Sequence, residues 1–492
     1  MQNVKEYYDE FPYFSAAFAD CSPLRLQSVA EFLGLDVPKA NIARVLELGC
    51  AYGGNILPFA VHNSQADVVG IDISSTQVKV GNEIAKGMGL ENFKLIEKDI
   101  LSIDKDKLKK LGKFDYIIAH GLYSWVCDEV KEAILRLIHE LLSQNGIAYI
   151  SYNVYPGWKS FDILRDYMIF VSSTQKDQTS RLEKAKKELK FLSDYLRINL
   201  QAQNDPTLRD STQLLLTQAN FLQNIIKKGH DYYVLHDFLE TSNDPMYFYK
   251  FAASLKKSGL CYLIDAGLDD IFRNSLGIYR FDAHISQNYP SRIEGEQMRD
   301  FMLNRSFRKS LVMKSEILGD RSDFDMDIGV NEFSKLNFIL HSRDDKSGNA
   351  VYEALKNAYP QSLNLSELSN MLEQDLQSTY SQLIEIFATQ NVSIAPKKFH
   401  HVKYKKGKTR IKPCVARYLE YFINEPSPVI LLANELNLKV ELTPSEAKAA
   451  LKFDGQNSLE EIKTSLALKN ADEFLNKLSN KLSEAYFLEN FN

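Results

Sequence analysis

The chain has little from which cross-links or metal cages are made. Its five cysteines, Cys21, Cys50, Cys127, Cys261 and Cys414, are odd in number and scattered, with no Cys-x-x-Cys or Cys/His spacing. A disulfide framework and a structural zinc site are therefore not expected, nor is any catalytic metal. No apolar run approaches the ~20 residues a membrane span needs. The first residues, Met1-Gln-Asn-Val-Lys-Glu-Tyr-Tyr, lack a basic segment followed by an apolar one, so no export signal is read and a cytoplasmic location is expected. A dominant charge sign is also missing: 59 Lys and Arg stand against 64 Asp and Glu, a net charge of −5. That balance gives no global attraction to nucleic acid or to an anionic membrane. There is no fixed-period repeat and no low-complexity tract.

What is present reads as several globular cores. A chain of 492 residues is about three typical domains long. Arg44-Val-Leu-Glu-Leu reads as a strand running into Gly49-Cys-Ala-Tyr-Gly-Gly-Asn, with a helix after Ile56. Asp67-Val-Val-Gly-Ile ends at Asp72, Phe93-Lys-Leu-Ile-Glu leads to Asp99, and Phe114-Asp-Tyr-Ile-Ile-Ala leads to His120. A helix near Val130 to Ser143, a turn at Gln144-Asn-Gly and a strand from Ile147 complete the alternation. Strands and helices at this spacing predict an α/β, Rossmann-like parallel sheet with helices on both faces.

The expected layout is a ligand-binding sheet domain over residues 1–275, interrupted by a helical insertion over 160–228. A strand is expected at Tyr232-Tyr-Val-Leu, a helix over Met246 to Lys257 and a strand after Gly259. The insertion falls between two late strands, over the edge where such sheets bind ligands, and could serve as a lid, a dimerisation arm or both. Residues 276–396 form a mostly helical middle domain, with helices over 298–316 and 350–389 and a winged-helix-like pair near Asn364–Leu372 and Ser378–Ala388. A basic linker spans 397–412, with eight Lys and Arg. A helical C-terminal domain covers 413–492.

The ligand site is read from the strand ends. Glu47-Leu-Gly49-Cys50-Ala51-Tyr-Gly53 has the form acidic-x-Gly-x-x-x-Gly directly after a buried strand. Glycines there allow a tight turn and a close backbone approach. Asp72 stands where a ribose is held, able to accept both hydroxyls, and Asp99 where an adenine amine would be met, with Ile100 beside it. Cys50, Ala51, Asn55 and Ile73 complete the candidate set. Carboxylates at successive strand ends would repel a pyrophosphate but suit a nucleoside carrying an ammonium and a sulfonium. S-adenosylmethionine is therefore the expected cofactor.

On the acceptor side two aromatic segments, His120-Gly-Leu-Tyr123-Ser-Trp125 and Tyr152-Asn153-Val-Tyr155-Pro-Gly-Trp158, follow the fourth and fifth strands and hold both tryptophans of the chain. His120 also stands close enough in sequence to the cofactor edge to serve either partner. Aromatic faces suit a cationic acceptor. Lysine fits such walls, because a desolvated channel beside a sulfonium lowers the pKa of its amine. His120 could act as the base, although a loop-orienting hydrogen bond is the plainer role. His236 and Asp237 are read as structural. Three readings stay open: a protein-lysine methyltransferase, a small-molecule methyltransferase, and a cofactor-binding interaction module without turnover.

Glu47-Leu-Gly-Cys-Ala-x-Gly-Gly-Asn55, Phe114-Asp-Tyr-Ile-Ile-Ala-His-Gly-x-Tyr-Ser-Trp125 and Ser151-Tyr-Asn-x-Tyr-Pro-Gly-Trp158 resemble the bacterial methyltransferases that carry a methyltransferase regulatory domain. Among these, the chain looks like the rickettsial protein lysine methyltransferases that modify outer-membrane protein. Pro245-Met-Tyr-Phe, Gly259-Leu-Cys-Tyr-Leu, Glu296-Gln-Met-Arg-Asp-Phe and Asn304-Arg-Ser-Phe-Arg308 continue the likeness, with weaker echoes at Lys412-Pro-x-x-Ala-Arg417 and Phe453-Asp-Gly455. The resemblance implies a protein substrate, a surface or outer-membrane protein met before export, and a homodimer formed through the helical insertion. It also implies that Tyr13 helps cover the cofactor. Neither a nucleic acid partner nor a membrane span is implied. Replacing Asp72 by alanine should weaken binding of S-adenosylmethionine by at least roughly tenfold, the effect of losing one charge-assisted hydrogen bond; unchanged affinity in a calorimetric titration would refute the ribose assignment.

Overall fold

The computed structural model describes residues 15–240, 242–267, 284–285, 287–289, 291–318, 329–340, 348–389, 392–466 and 470–491. Tyr13 lies outside the described residues. The first strand, Arg44–Leu48 (β1), has four consecutive buried residues, as a strand covered on both faces must. Asp67–Asp72 (β2), Phe93–Glu97 (β3), Phe114–Ala119 (β4) and Leu142–Tyr155 (β5) lie beside it, all parallel, in the order β3-β2-β1-β4-β5. The winding direction reverses between β1 and β4. A doubly wound sheet opens its ligand crevice at that point, outside the carboxyl ends of the strands.

Beyond β5 the sheet changes character. Met246–Tyr247 (β6) pairs in parallel with the last two residues of β5. Leu260–Asp265 (β7) forms the far edge, and Phe307–Lys314 (β8) runs antiparallel between β5 and β7. Residues 298–316 therefore do not form the helix expected from sequence, and the sheet continues past residue 275. A helix over Arg292–Leu303 stops at Asn304, whose left-handed backbone (φ 47°) caps it, and the chain turns into β8. Tyr232–Leu235 departs from expectation the other way. It is helical, ending in one π-helical turn over Val234–Phe238 that packs Val234, Leu235 and Phe238 into the insertion.

That insertion follows the carboxyl end of β5. Its helices are Lys159–Ser172 (α1), Gln178–Ala202 (α2) and Pro206–Lys227 (α3). Asp177 and Asp205 cap the second and third by accepting backbone N–H bonds, and Pro206 starts the third where its missing N–H is no loss. Leu164, Met168, Leu189, Ala219 and Leu222 give the insertion a small core of its own.

The C-terminal half carries more strand than its helical pattern suggests. Asn337–Leu340 (β9), Leu363–Asn364 (β10) and Val392–Ala395 (β11) make a three-stranded antiparallel sheet beside helices over Ala350–Ala358, Leu365–Leu372 and Leu376–Thr389. Thr409–Ile411 (β12) pairs with Leu488–Asn490 (β15), and Ile430–Ala433 (β13) forms a hairpin with Lys439–Leu442 (β14). The basic run is not a detached linker. Lys397 and Lys412 both pair with Glu435, Lys398 with Glu367, Lys406 with Glu461, and Arg410 with Glu489. One hydrophobic cluster joins the outer face of the main sheet to this half, from Val45 and Phe59 to Leu419 and Phe487. No helix among the described residues is long and apolar enough to cross a membrane.

The most heavily charged interior point is Arg308 on β8. Its guanidinium is fully buried and bonds Asp300 twice, at 2.8 and 2.9 Å, Asp265 at 2.8 Å and Glu296 at 2.9 Å, while stacking 4.0 Å above the Phe248 ring. Burial alone would push the Glu296 carboxyl up, yet Arg308, Arg299 and Arg305 together hold it at about 2. Removing one partner from a buried network leaves the others uncompensated. Arg308→Met should therefore lose about 3–5 kcal/mol of stability in urea unfolding; a loss below about 1 kcal/mol would show that the carboxylates carry no charge in the fold.

Candidate functional site

All five parallel strands end on the same side, so Gly49, Asp72, Asp99, His120 and Tyr155 line one edge. After β1 the chain makes a compact turn in which Gly49 (φ 73°), Ala51 (φ 50°) and Gly53 (φ 78°) are left-handed. The Gly49 and Cys50 amides donate to the Ile71 carbonyl at 2.8 and 3.2 Å. Asp72 fixes the turn from β2: one carboxylate oxygen accepts the Ala51 N–H at 2.8 Å, the other the Ser74 N–H at 2.9 Å. The two glycines differ in purpose. A side chain at Gly53 would strike the Phe93 ring, whereas one at Gly49 would press on Leu122, just after β4. Gly53 thus lets the turn close onto β3.

Glu47 is buried behind the turn. One of its oxygens accepts from Asn55 Nδ2 at 2.7 Å, and no donor among the described residues meets the other. Burial pushes its carboxyl up to about 8, with the negative charge of Asp72 adding and the Asn55 bond opposing. Asn55 in turn accepts the Phe18 N–H at 3.0 Å, and Ser15 Oγ accepts from Gly54 N at 2.8 Å, so the segment before the first long helix closes one side. Asp99 caps the short turn Ile100–Ser102 by accepting the Leu101 N–H at 2.9 Å. Ile73 stands half-buried between Asp72 and Ser74, and Ile100 is buried.

On the β4 side, His120 Nδ1 lies 3.2 Å from both the Tyr149 hydroxyl and Ser151 Oγ, and its ring packs on Phe18 with centroids 4.1 Å apart. Burial lowers its pKa to about 4, and Lys309 adds to the effect. A group so weakly basic has little drive to take a proton from an ammonium. Orientation of the loop through Ser151, which also accepts the Gly121 N–H at 2.8 Å, is the role this geometry fits.

The aromatic segments divide. Tyr123 is buried against Tyr152 and Phe251, away from the edge. Trp125 meets Trp158 edge-on, with centroids 6.4 Å apart, and Trp158 leads into the insertion core through Phe161. Asn153 is buried, its side chain donating to Asn243 at 3.1 Å. Tyr155 stays partly exposed beside Tyr247, and Lys159 Nζ sits 5.3 and 5.5 Å from these two rings. His236 and Asp237 lie in the π-helical turn; burial lowers the histidine to about 4 and raises the carboxyl to about 7. Phe18, Ser151 and Tyr247 were missed because their partners are distant in sequence, whereas Lys159 was missed although Tyr155 stands only four positions before it. Among the described residues no group of three His, Cys, Asp or Glu side chains could hold a metal.

A methyltransferase domain family matches residues 39–238, and a predicted methyltransferase regulatory domain matches 230–314. The chain belongs to the methyltransferases that carry this regulatory domain. RP028, an uncharacterised protein of Rickettsia prowazekii, is 35% identical over 51% of this methyltransferase and 94% of its own length. RP789 of the same organism is 33% identical over 69% of this methyltransferase, which spans 57% of the length of RP789. The fold of PKMT2 from Rickettsia typhi, solved in complex with AdoHcy, matches 97% of this methyltransferase and 99% of that chain, with a TM-score of 0.77 and 23% identity. The Rossmann-like fold is thus shared over almost the whole chain.

S-adenosylmethionine is the methyl donor of the domain, and the residues present fit it. An unsatisfied buried carboxylate oxygen of Glu47 and a turn whose Gly49 and Gly53 carry no side chains of their own answer to a cation with a nucleoside attached. Glu47 must ionise to meet an ammonium. Without ligand, its raised pKa costs stability as pH climbs from about 4.3 to 8, since the unfolded chain ionises first. Donor affinity should accordingly tighten between about pH 6 and 8. Glu47→Gln should bind more weakly at pH 8 and lose this dependence in calorimetric titration; identical pH profiles for the two proteins would contradict the assignment.

Proposed function

We propose that this methyltransferase transfers methyl groups to lysine side chains of a protein, with Glu47, Gly49, Cys50, Ala51, Asn55, Asp72, Ile73, Asp99 and Ile100 holding the donor. The observation that carries the acceptor class is the ledge formed by Tyr155 and Tyr247 at the end of β5. A lysine ammonium, that of Lys159, already rests on both rings. Asp162 brings a carboxylate beside the rings. Rings edged by carboxylates attract alkylammonium groups and reject anions. The resemblance to rickettsial protein lysine methyltransferases and the fold shared with PKMT2 point the same way.

The donor, when bound, supplies an electrophilic methyl group on a sulfonium. The acceptor amine has to arrive neutral, a state that a lysine of pKa ~10.4 reaches about once in 2,500 at pH 7. The positive charge of the donor's sulfonium, when bound, would favour the neutral form, and the proton leaves to solvent. The amine lone pair then forms the new nitrogen–carbon bond as the carbon–sulfur bond breaks and sulfur takes the pair. His120 remains neutral near pH 7. It therefore places no competing positive charge beside the amine while holding the β4 loop.

Incubation of the protein with tritiated S-adenosylmethionine and a cell extract tests the reading. Base-stable label on lysine is the expected result, reduced by Tyr155→Ala. Label confined to the small-molecule fraction would instead make the acceptor a metabolite.

A further inference from the structure

We infer that the β13–β14 hairpin turn of the C-terminal half positions the donor-binding turn, with Asn437 as the positioning residue. The hairpin tip, Asn434–Leu438, is tightly built. Asn434 Oδ1 accepts from the Leu436 and Leu438 amides at 2.9 and 3.1 Å, and Asn437 is left-handed at φ 60°. This geometry turns the Asn437 amide towards the methyltransferase sheet. Its Nδ2 donates to the Phe18 carbonyl at 3.2 Å and to the Asn55 carbonyl at 3.4 Å. Asn55 is the residue that bonds Glu47, and Phe18 is the residue that bonds Asn55. The buried side chains of Asn437 and Asn55, with backbone groups of Phe18 and Asn55, thus connect the hairpin tip to the carboxylate behind the glycine turn.

Two further contacts hold the tip in place. Lys439 Nζ lies 5.1 Å from the centre of the Phe18 ring, whose other neighbour is His120. Glu435, inside the turn, pairs with Lys397 and Lys412, the two ends of the basic run. The run that reads in sequence as a linker therefore clamps the hairpin tip. Coupling of this kind is reciprocal: what holds the tip favours the donor, and the donor holds the tip.

Asn437→Gly tests the inference, because glycine keeps the left-handed backbone and removes only the amide. S-adenosylhomocysteine, titrated calorimetrically into the full-length protein, should bind roughly three- to tenfold more weakly than to the wild type, the effect of about one lost buried hydrogen bond. The melting temperature of the ligand-free protein should fall by no more than the roughly 2–4 °C that one buried hydrogen bond costs. Hydrogen exchange at residues 430–442 should slow when the ligand binds to the wild type, and slow less in the variant. Glu435→Gln should weaken binding in the same direction by a smaller factor, and serves if the glycine variant fails to fold. Unchanged affinity in both variants overturns the inference. So does a loss of affinity accompanied by a much larger fall in melting temperature and faster exchange throughout the protein, which is the mark of a merely structural contact. Absence of binding to the wild type would remove the donor site itself, a different failure.

Discussion

The architecture rests on one buried cation. Arg308 brings four segments together: β8, which carries it, the end of β7 through Asp265, the helix over Arg292–Leu303 through Glu296 and Asp300, and the Phe248 ring. None of these groups can satisfy its charge alone in the interior. The constraint wedges an antiparallel strand between two that would otherwise be neighbours. Since β8 pairs along β5 from Ala148 to Asn153, the arginine also fixes the strand whose end bears Tyr155. Arg308 and these partners all fall in the regulatory segment, residues 230–314, which completes the sheet instead of standing apart from it.

The glycine turn depends on a second set of polar groups. Asp72 holds it from β2, Ser15 and Phe18 from the start of the described chain, and Asn437 from the far half. Most of these bonds use backbone groups of the turn, which leaves its outer surface free for a ligand. The insertion, with its own small core, is joined to the sheet through Trp158 and the residues after Tyr155.

Much of this was legible because it is local. A buried strand followed by a glycine turn, then an acidic residue at the next strand end, spans about 25 residues and needs no knowledge of the rest of the chain; Glu47, Gly49 and Asp72 were read as candidates on that basis, and Asp99 by the same step at the following strand end. The parallel core and the helical insertion were legible for the same reason. The β8 strand was not. Its polar residues Arg308, Lys309 and Ser310 look like a helix surface until their partners Asp265, Asp300, Asp20 and Tyr152 are in place. Tyr232–Leu235 misled in the opposite sense, as aromatic and β-branched residues favour strands until a helical insertion offers them a core. Tyr123 and Trp125 share one motif yet face different surroundings, which spacing cannot tell apart. Asn437 had no local signal at all, since its partners are 382 and 419 positions away.

That distance has a consequence for how the molecule comes into being. A ribosome makes the glycine turn well before the hairpin tip, 382 positions further on, so the nascent polypeptide carries the turn through that stretch of synthesis with one of its supports still unmade. Occupancy by the nucleoside then reports that the tip has arrived: a product cut short before the hairpin can assemble the parallel strands and yet hold its ligand loosely, while one that includes Asn437 holds the turn from both sides.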